Sequence, residues 1–352
     1  MKKIIALVLA LAMVACLFVG CGGDTTDPTN DSGSSEGGKT LKVIYVTPST
    51  ASDFWSQVET GILQAKKDYE ESLGVTIEYS KMGPAEEADA EGYIAAMESA
   101  IAAHPDAIVT ATLNIDPTVP KAKEATDAGI ILNFVNCGLG NGNDGAHADS
   151  YNEFYYCSNT TIGEMAAEAF LKAMADKGLS TDSGVIGMQM NMENAALDYR
   201  MQGFRDYMAT NAPGLTLTDT EYNGNDSADA QADAEATINA QGDKLIGIYA
   251  GNNVTCDGVC NALRAANMNT KVSIGVDSDD VEIAALKDGF LSAIIVQDAF
   301  KQGYLTMENA IKTLNDGKNP EAEKAVNVPP VVVTAENIDS EDVQFMMSPY
   351  VK

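Results

Sequence analysis

From Leu41 onward, apolar residues follow two alternating patterns. Short β-rich runs such as LKVIYVT (Leu41 to Thr47) are followed by stretches in which apolar residues recur every three or four positions, as at Phe54, Val58, Ile62, Ala65 and Tyr69. The first is strand spacing, and the second is that of a helix with one buried face. By the same reading Val75 to Tyr79, Ala107 to Thr110 and Ile130 to Val135 are strands, with helices over Glu91 to Ala103 and Thr118 to Ala128. Strands separated by helices of about a dozen residues imply right-handed crossovers and a parallel sheet covered on both faces.

Gly138 to Asn152 breaks the rhythm with a polar, glycine-rich loop, expected to be solvated. Its glycines lack the end of a dinucleotide fingerprint, and its oxygen-bearing residues leave one calcium-loop position empty. The series then restarts. Strands are expected at Phe154 to Ser158, Gly184 to Gln189, Leu215 to Tyr222, Leu245 to Ala250 and Val272 to Val276, with helices near Ile162 to Ala173, Ala195 to Thr210, Ala228 to Gln241 and Val254 to Ala266. After Gln297 comes a helix with Phe300, Tyr304, Met307, Ile311 and Leu314 on one face. Val328 to Thr334 is read as one last strand, and its Pro329 and Pro330 confine it to a sheet edge. Two successive βα series define the fold class: α/β, two similar, doubly wound parallel-sheet lobes. Asp277 and Gln297 each follow a strand, where open sheets keep their ligand crevice.

Size and composition agree with two lobes. The 352 residues exceed what one core fills, and 45% hydrophobic with 21% charged residues is globular. The 51 acidic against 22 basic residues give a net charge of -29, which opposes binding to nucleic acid and anionic lipid. No nucleophile and base gather around His104 or His147, and no strand-to-helix serine elbow is present, so the chain reads as a binding protein without catalytic residues, metal or cofactor. Cys256 and Cys260 read as buried, inert thiols; Cys137 and Cys157 flank the loop and are either bridged or free.

The start of the chain is an address. Lys2 and Lys3, the apolar Ile4 to Val19 and Gly20 before Cys21 have the layout of a secretory signal over residues 1–20. The apolar run is shorter than the roughly 20 residues of a membrane-spanning helix. Leu17 to Cys21 resembles the lipobox of bacterial lipoproteins, which implies lipidation of Cys21. Residues 21–40 are polar and glycine-rich, a flexible tether.

The order of segments resembles the type I periplasmic binding proteins, in the sugar-binding branch that serves ABC importers. SDFWSQVETGILQA (Ser52 to Ala65), ATDAGIILNFVN (Ala125 to Asn136), NTTIGEMAAEAF (Asn159 to Phe170), ALDYRMQGF (Ala196 to Phe204), YAGNN (Tyr249 to Asn253), SIGVDSD (Ser273 to Asp279) and IIVQDAFKQGY (Ile294 to Tyr304) carry it. The resemblance implies ligand contacts at Phe54 and Trp55, whose faces would stack on a sugar ring, and at Asn136, Arg200, Asn252, Asp277 and Gln297. It also implies an N-terminal lobe of 41–155 plus 298–326 and a C-terminal lobe of 156–297 plus 327–352, with crossovers near Tyr156, Gln297 and Asn327. The chain departs from the family where an aspartate and an arginine are common, here Asn136 and Cys137, and where a second-lobe aromatic would stand, near Asn225.

The expectation is a monomeric, lipid-anchored, extracytoplasmic solute-binding protein. It would hold a small neutral polyol, most simply a monosaccharide, between the lobes for an ABC permease and ATPase; the alternative is presentation of a sugar or signalling molecule to a membrane receptor. Replacing Arg200 or Asp277 is expected to abolish ligand binding and to leave the stability of the empty protein unchanged.

Overall fold

The computed structural model describes residues 39–352 except 142, 143, 194 and 322; the signal segment, most of the tether and Cys21 lie outside the described residues. The first βα series comprises β1 (Thr40–Val46), α1 (Asp53–Leu73), β2 (Thr76–Met82), α2 (Ala90–Ala102), β3 (Ala107–Thr110), α3 (Ile115–Asp127), β4 (Ile131–Asn136) and β5 (Glu153–Tyr156). The second comprises α4 (Asn159–Asp176), β6 (Val185–Met190), α5 (Ala195–Asn211), β7 (Thr216–Tyr222), α6 (Ser227–Gln241), β8 (Leu245–Ala250), α7 (Asn253–Ala265), β9 (Ile274–Val276), α8 (Asp280–Lys287) and β10 (Ala293–Val296). The chain ends with α9 (Ala299–Asp316), β11 (Ala325–Asn327), β12 (Val331–Val333) and α10 (Glu341–Met347).

The strands form two sheets, ordered β11-β5-β4-β3-β1-β2 and β12-β10-β9-β8-β6-β7. The orders coincide when β1 is laid on β6, so the lobes repeat one plan. Every pairing is parallel except β10 with β12. The chain passes from one sheet to the other after Tyr156, Val296 and Asn327. Each sheet is covered on both faces: Val43, Tyr45, Val109 and Val135 meet α1 and α9, while Ile44, Ile108 and Leu132 meet α2 and α3. Near-continuous apolar strands such as β3 follow from that double burial.

Glycine sets the helix spacing in both lobes. A Cβ on Gly61 of α1 would lie 1.9 Å from the Phe300 carbonyl oxygen, and one on Gly303 of α9 would lie 2.1 Å from that of Val58. In the second lobe a Cβ on Gly163 of α4 would lie 1.9 Å from the Arg200 carbonyl oxygen, and one on Gly203 of α5 2.4 Å from that of Thr160. Backbone thus meets backbone at α1–α9 and at α4–α5, an approach that any side chain would prevent.

Two expectations are corrected. Val328 to Thr334 is not one strand: β11 ends the first sheet, β12 ends the second, and Pro329 and Pro330 lie between them. The edge placement holds, but prolines without N–H groups suit the crossover itself better than either ladder. The loop after β4 is only partly solvated. Leu139 and Tyr151 are buried in the first core, where the Tyr151 ring stands edge-on to Phe134 and Phe154. The four cysteines of the described residues are buried free thiols, with no bridge between Cys137 and Cys157.

The C-terminus ties the lobes together. Val343 and Met347 of α10 pack into the second core, yet the Gln57 amide of α1 donates to the Met347 carbonyl (3.1 Å) and the Lys67 ammonium donates to the Lys352 carbonyl (2.6 Å). Phe345 meets Phe300 of α9 edge-on, with ring centroids 5.0 Å apart.

Candidate ligand cleft

All seven residues expected at the site line one narrow pocket, with a cavity volume of about 40 Å³, between the strand carboxyl ends of the two sheets. Phe54 and Trp55 open α1 just beyond β1; Asn136 ends β4; Asn252 follows β8; Asp277 follows β9; Gln297 follows β10. Arg200 comes from the second turn of α5.

Asn136 and Asp277 occupy equivalent strand ends in the two lobes, and both adopt left-handed backbone angles, φ 62° and 80°. Such angles are costly for residues with a Cβ and cluster at functional positions. Gln297 joins them. Its amide nitrogen donates to Asp277 Oδ1 (2.8 Å), while its oxygen accepts from Asn136 Nδ2 (2.8 Å), so one side chain at a crossover holds a residue of each lobe. Asp277 is not the cap of α8; Asp279 fills that role in a capping box with Glu282. That leaves the Asp277 carboxylate for the cleft.

Arg200 is only 3% exposed. Its Nε and one terminal nitrogen donate to Asn159 Oδ1 (3.0 and 2.8 Å), and the other terminal nitrogen donates to the Gly251 carbonyl. Such an arginine is part of the second core's architecture, which corrects the expectation that removing it would leave stability unchanged. Asn252 likewise has a local duty, accepting from the Thr255 N–H at the start of α7.

Phe54 and Trp55 are perpendicular, with centroids 5.0 Å apart at 87°. A flat ligand lying on one ring therefore meets the other edge-on, so the two faces do not both stack as expected. The Trp55 indole N–H donates to Glu87 Oε1 (2.7 Å). Glu87 stands in the loop after β2, and its other oxygen accepts from Asn191 after β6 (3.3 Å), so this bond spans the cleft from lobe to lobe.

Sequence reasoning missed Glu87 and Asn191. Asn191, 1% exposed, immediately follows a strand and was legible as a strand-end polar residue. Glu87 sits five positions past β2 among Glu86, Asp89 and Glu91, and nothing local distinguishes it from them. Leu113, Cys137, Leu197 and Asn253 complete the lining. Burial pushes the Cys137 thiol up to about 12, so it is inert. Burial also raises the Glu87 carboxyl, opposed by the Trp55 N–H and reinforced by Asp277. Asp277 is raised by burial as well, against the pull of Arg200.

Two doubly wound lobes with a polar cleft at their crossovers define a two-lobed solute-binding protein. The profile of the periplasmic binding protein domain matches residues 43–319, and the chain belongs to that family. It is 28% identical over 300 residues, 84% of this chain and 89% of the relative, to the D-ribose/D-allose-binding protein of Pseudomonas aeruginosa. Among solved structures, a carbohydrate transporter solute-binding protein of Agrobacterium radiobacter in complex with D-arabinose superposes with TM-score 0.77 at 25% identity, covering 88% of this chain and 99% of that one. An ABC transporter solute-binding protein of Agrobacterium vitis with bound D-fucose gives 0.75 at 26% identity, covering 86% and 98%. These relatives are binding proteins, and this chain is a binding protein rather than an enzyme. No helix among the described residues is long and apolar enough to cross a membrane.

Proposed function

We propose that the chain is the extracytoplasmic solute-binding component of an ABC importer, anchored through a lipid on Cys21, and that it captures a monosaccharide-like polyol between its lobes as a monomer. The observation that carries this reading is the convergence of Phe54, Trp55 and Asn136 from one lobe with Arg200, Asn252 and Asp277 from the other, around Gln297, on one cavity. The chemistry suits vicinal hydroxyls, each of which donates and accepts. Asp277 accepts, Arg200 donates, the amides do both, and an aromatic face covers ring C–H groups. The ribose, arabinose and fucose named for the relatives support a sugar of this size.

Binding and closure follow from the wiring. A ligand held by both lobes satisfies its contacts only when the cleft is shut, so it shifts the population toward the closed form. The closed pair of lobe surfaces is then what the permease recognises. A thermal-shift screen of Thr40 to Lys352 against pentoses, hexoses, polyols and nucleosides tests the reading. Stabilisation by one or a few sugars is expected, and no response to any of them would refute it. Palmitate labelling of the full chain, lost in Cys21→Ser, tests the anchor.

A further inference from the structure

The three crossovers lie along one edge of the two sheets. The chain changes sheet after β5, β10 and β11, which stand at or beside the same end of the two strand orders. β2 closes the other end of the first sheet, and β6 stands one strand from the other end of the second. Neighbouring strands lie about 4.8 Å apart, so β2 and β6 stand roughly 14–19 Å from the crossover edge. Rotation about the crossovers moves the loops after β2 and β6 farthest, and contacts between those loops are the first to part on opening.

Those loops meet twice. The Glu87 carboxylate, five positions past β2, accepts from the Trp55 indole N–H of its own lobe (2.7 Å) and from Nδ2 of Asn191, the residue after β6 (3.3 Å). Asn191 is held in turn. Its amide nitrogen also donates to Asn225 Oδ1 beyond β7 (3.1 Å), and its oxygen accepts from the backbone N–H of Met192 (2.9 Å). The Met192 side chain makes the second contact. It is half-buried and packs both on the first-lobe core that contains Phe54, Trp55 and Leu113 and on the second-lobe core that contains Leu197 and Met201. Among the described residues, no other apolar side chain packs against both of these cores. Met192 lies outside the lining of the cavity, so its contacts act between the lobes and not on a ligand.

We propose that Met192 is the apolar half, and the hydrogen bond from Asn191 to Glu87 the polar half, of a latch at the mouth of the cleft that sets how long a captured ligand stays. This rests on the proposed function, in which closure encloses a sugar. Entry is through the open form, where neither contact exists, so the latch leaves association alone. Exit requires both contacts to break, so their free energy appears in the dissociation rate. The unbranched thioether suits this position because it adapts to two surfaces that separate and pack again. The bond from the Met192 N–H to Asn191 joins the two halves, so they engage together.

Stopped-flow kinetics follow the emission of Trp55, the chain's single tryptophan, whose indole N–H is bonded to Glu87. The probe is D-ribose, D-allose, D-arabinose or D-fucose, the sugars named for the relatives, or failing these the strongest binder of the thermal-shift screen. Met192→Ala should speed dissociation about tenfold, equivalent to about 1.4 kcal/mol, and leave association within about twofold of wild type. Met192→Leu keeps the volume and should restore the dissociation rate to within about twofold. Glu87→Gln turns N–H groups toward Asn191 and should speed dissociation as well; because Glu87 lines the cavity, the two Met192 variants decide. Unchanged dissociation in Met192→Ala, a loss carried by association instead, or failure of Met192→Leu to restore the rate would overturn the latch and leave the proposed function standing. No response to any sugar would overturn both.

Discussion

Gly163→Ala probes the link between packing and binding. The added methyl carbon would lie 1.9 Å from the Arg200 carbonyl oxygen, 2.7 Å from the Phe204 nitrogen and 3.0 Å from the Arg200 carbonyl carbon, where ordinary contact begins at 3.4 Å. The obstacles are backbone atoms, so α5 must move away from α4 by about 1.5 Å at this level. Overpacking costs about 3 kcal/mol at the upper end of its usual range, and the helix propensity gained by alanine returns about 1 kcal/mol, for a net loss of about 2 kcal/mol. The carbonyl that moves belongs to Arg200, whose guanidinium is pinned to Asn159 of α4 at 2.8 and 3.0 Å, so the shift strains the anchored arginine and pulls it from register with Asp277. A displacement above about 0.5 Å spoils a preorganised site. Gly214→Ala serves as the control: its Cβ would meet the Asp182 and Thr181 carbonyl oxygens at 2.6 Å, at the opposite end of the strands from the cleft. Urea denaturation and Trp55 titration with the strongest binder of the sugar screen should show both variants destabilised and only Gly163→Ala losing tenfold or more in affinity. Wild-type affinity in a destabilised Gly163→Ala protein would refute the claim that the α4–α5 contact positions Arg200.

Further outcomes are expected elsewhere. Arg200→Met strands the Asn159 and Gly251 oxygens and leaves Asp277 buried without its cation, so the empty protein should lose about 3–5 kcal/mol in denaturant titrations; an unchanged midpoint would contradict that placement. Gln297→Ala removes the bridge from Asn136 to Asp277, and scattering should find less compaction on ligand binding; weaker affinity with normal compaction would deny it a coupling role. Burial raises fully buried Glu153 from 4.5 to about 7, so the folded state binds the extra proton and stability falls as pH rises through that window, by about 3 kcal/mol in all. Glu153→Gln should flatten that fall in denaturation at pH 5 and pH 8, and an identical pH dependence would exclude Glu153 as its source.

The fold was legible because its signals are local and repeated. Strand and helix periods alternate through both series, and the boundaries shift by only a few residues. The site was legible where it sits on strand ends, as at Asp277 and Gln297, since parallel topology brings those ends together wherever they lie in the chain. Glu87 was not, because its role comes from a loop that reaches over the cleft to Trp55 and Asn191, contacts separated by 32 and 104 residues. Arg200 was found, but its attachment to Asn159 and Gly251 depends on a helix crossing that only the glycines at 163 and 203 announce. The single strand expected near Pro329 fails for a related reason: one apolar run is shared between two sheets, and sequence period carries no record of which ladder a residue joins.

The C-terminal tail bears on how the protein is handled. Its last residue lies on α1 of one lobe, while α10, a few residues earlier, is rooted in the core of the other. Any affinity tag or reporter appended after Lys352 starts on that tie and competes with it. A preparation tagged after Lys352 would then open more readily than the untagged chain and understate its affinity. A fluorescent domain fused at this end would instead feel each closing stroke, which makes the terminus a natural port for a biosensor.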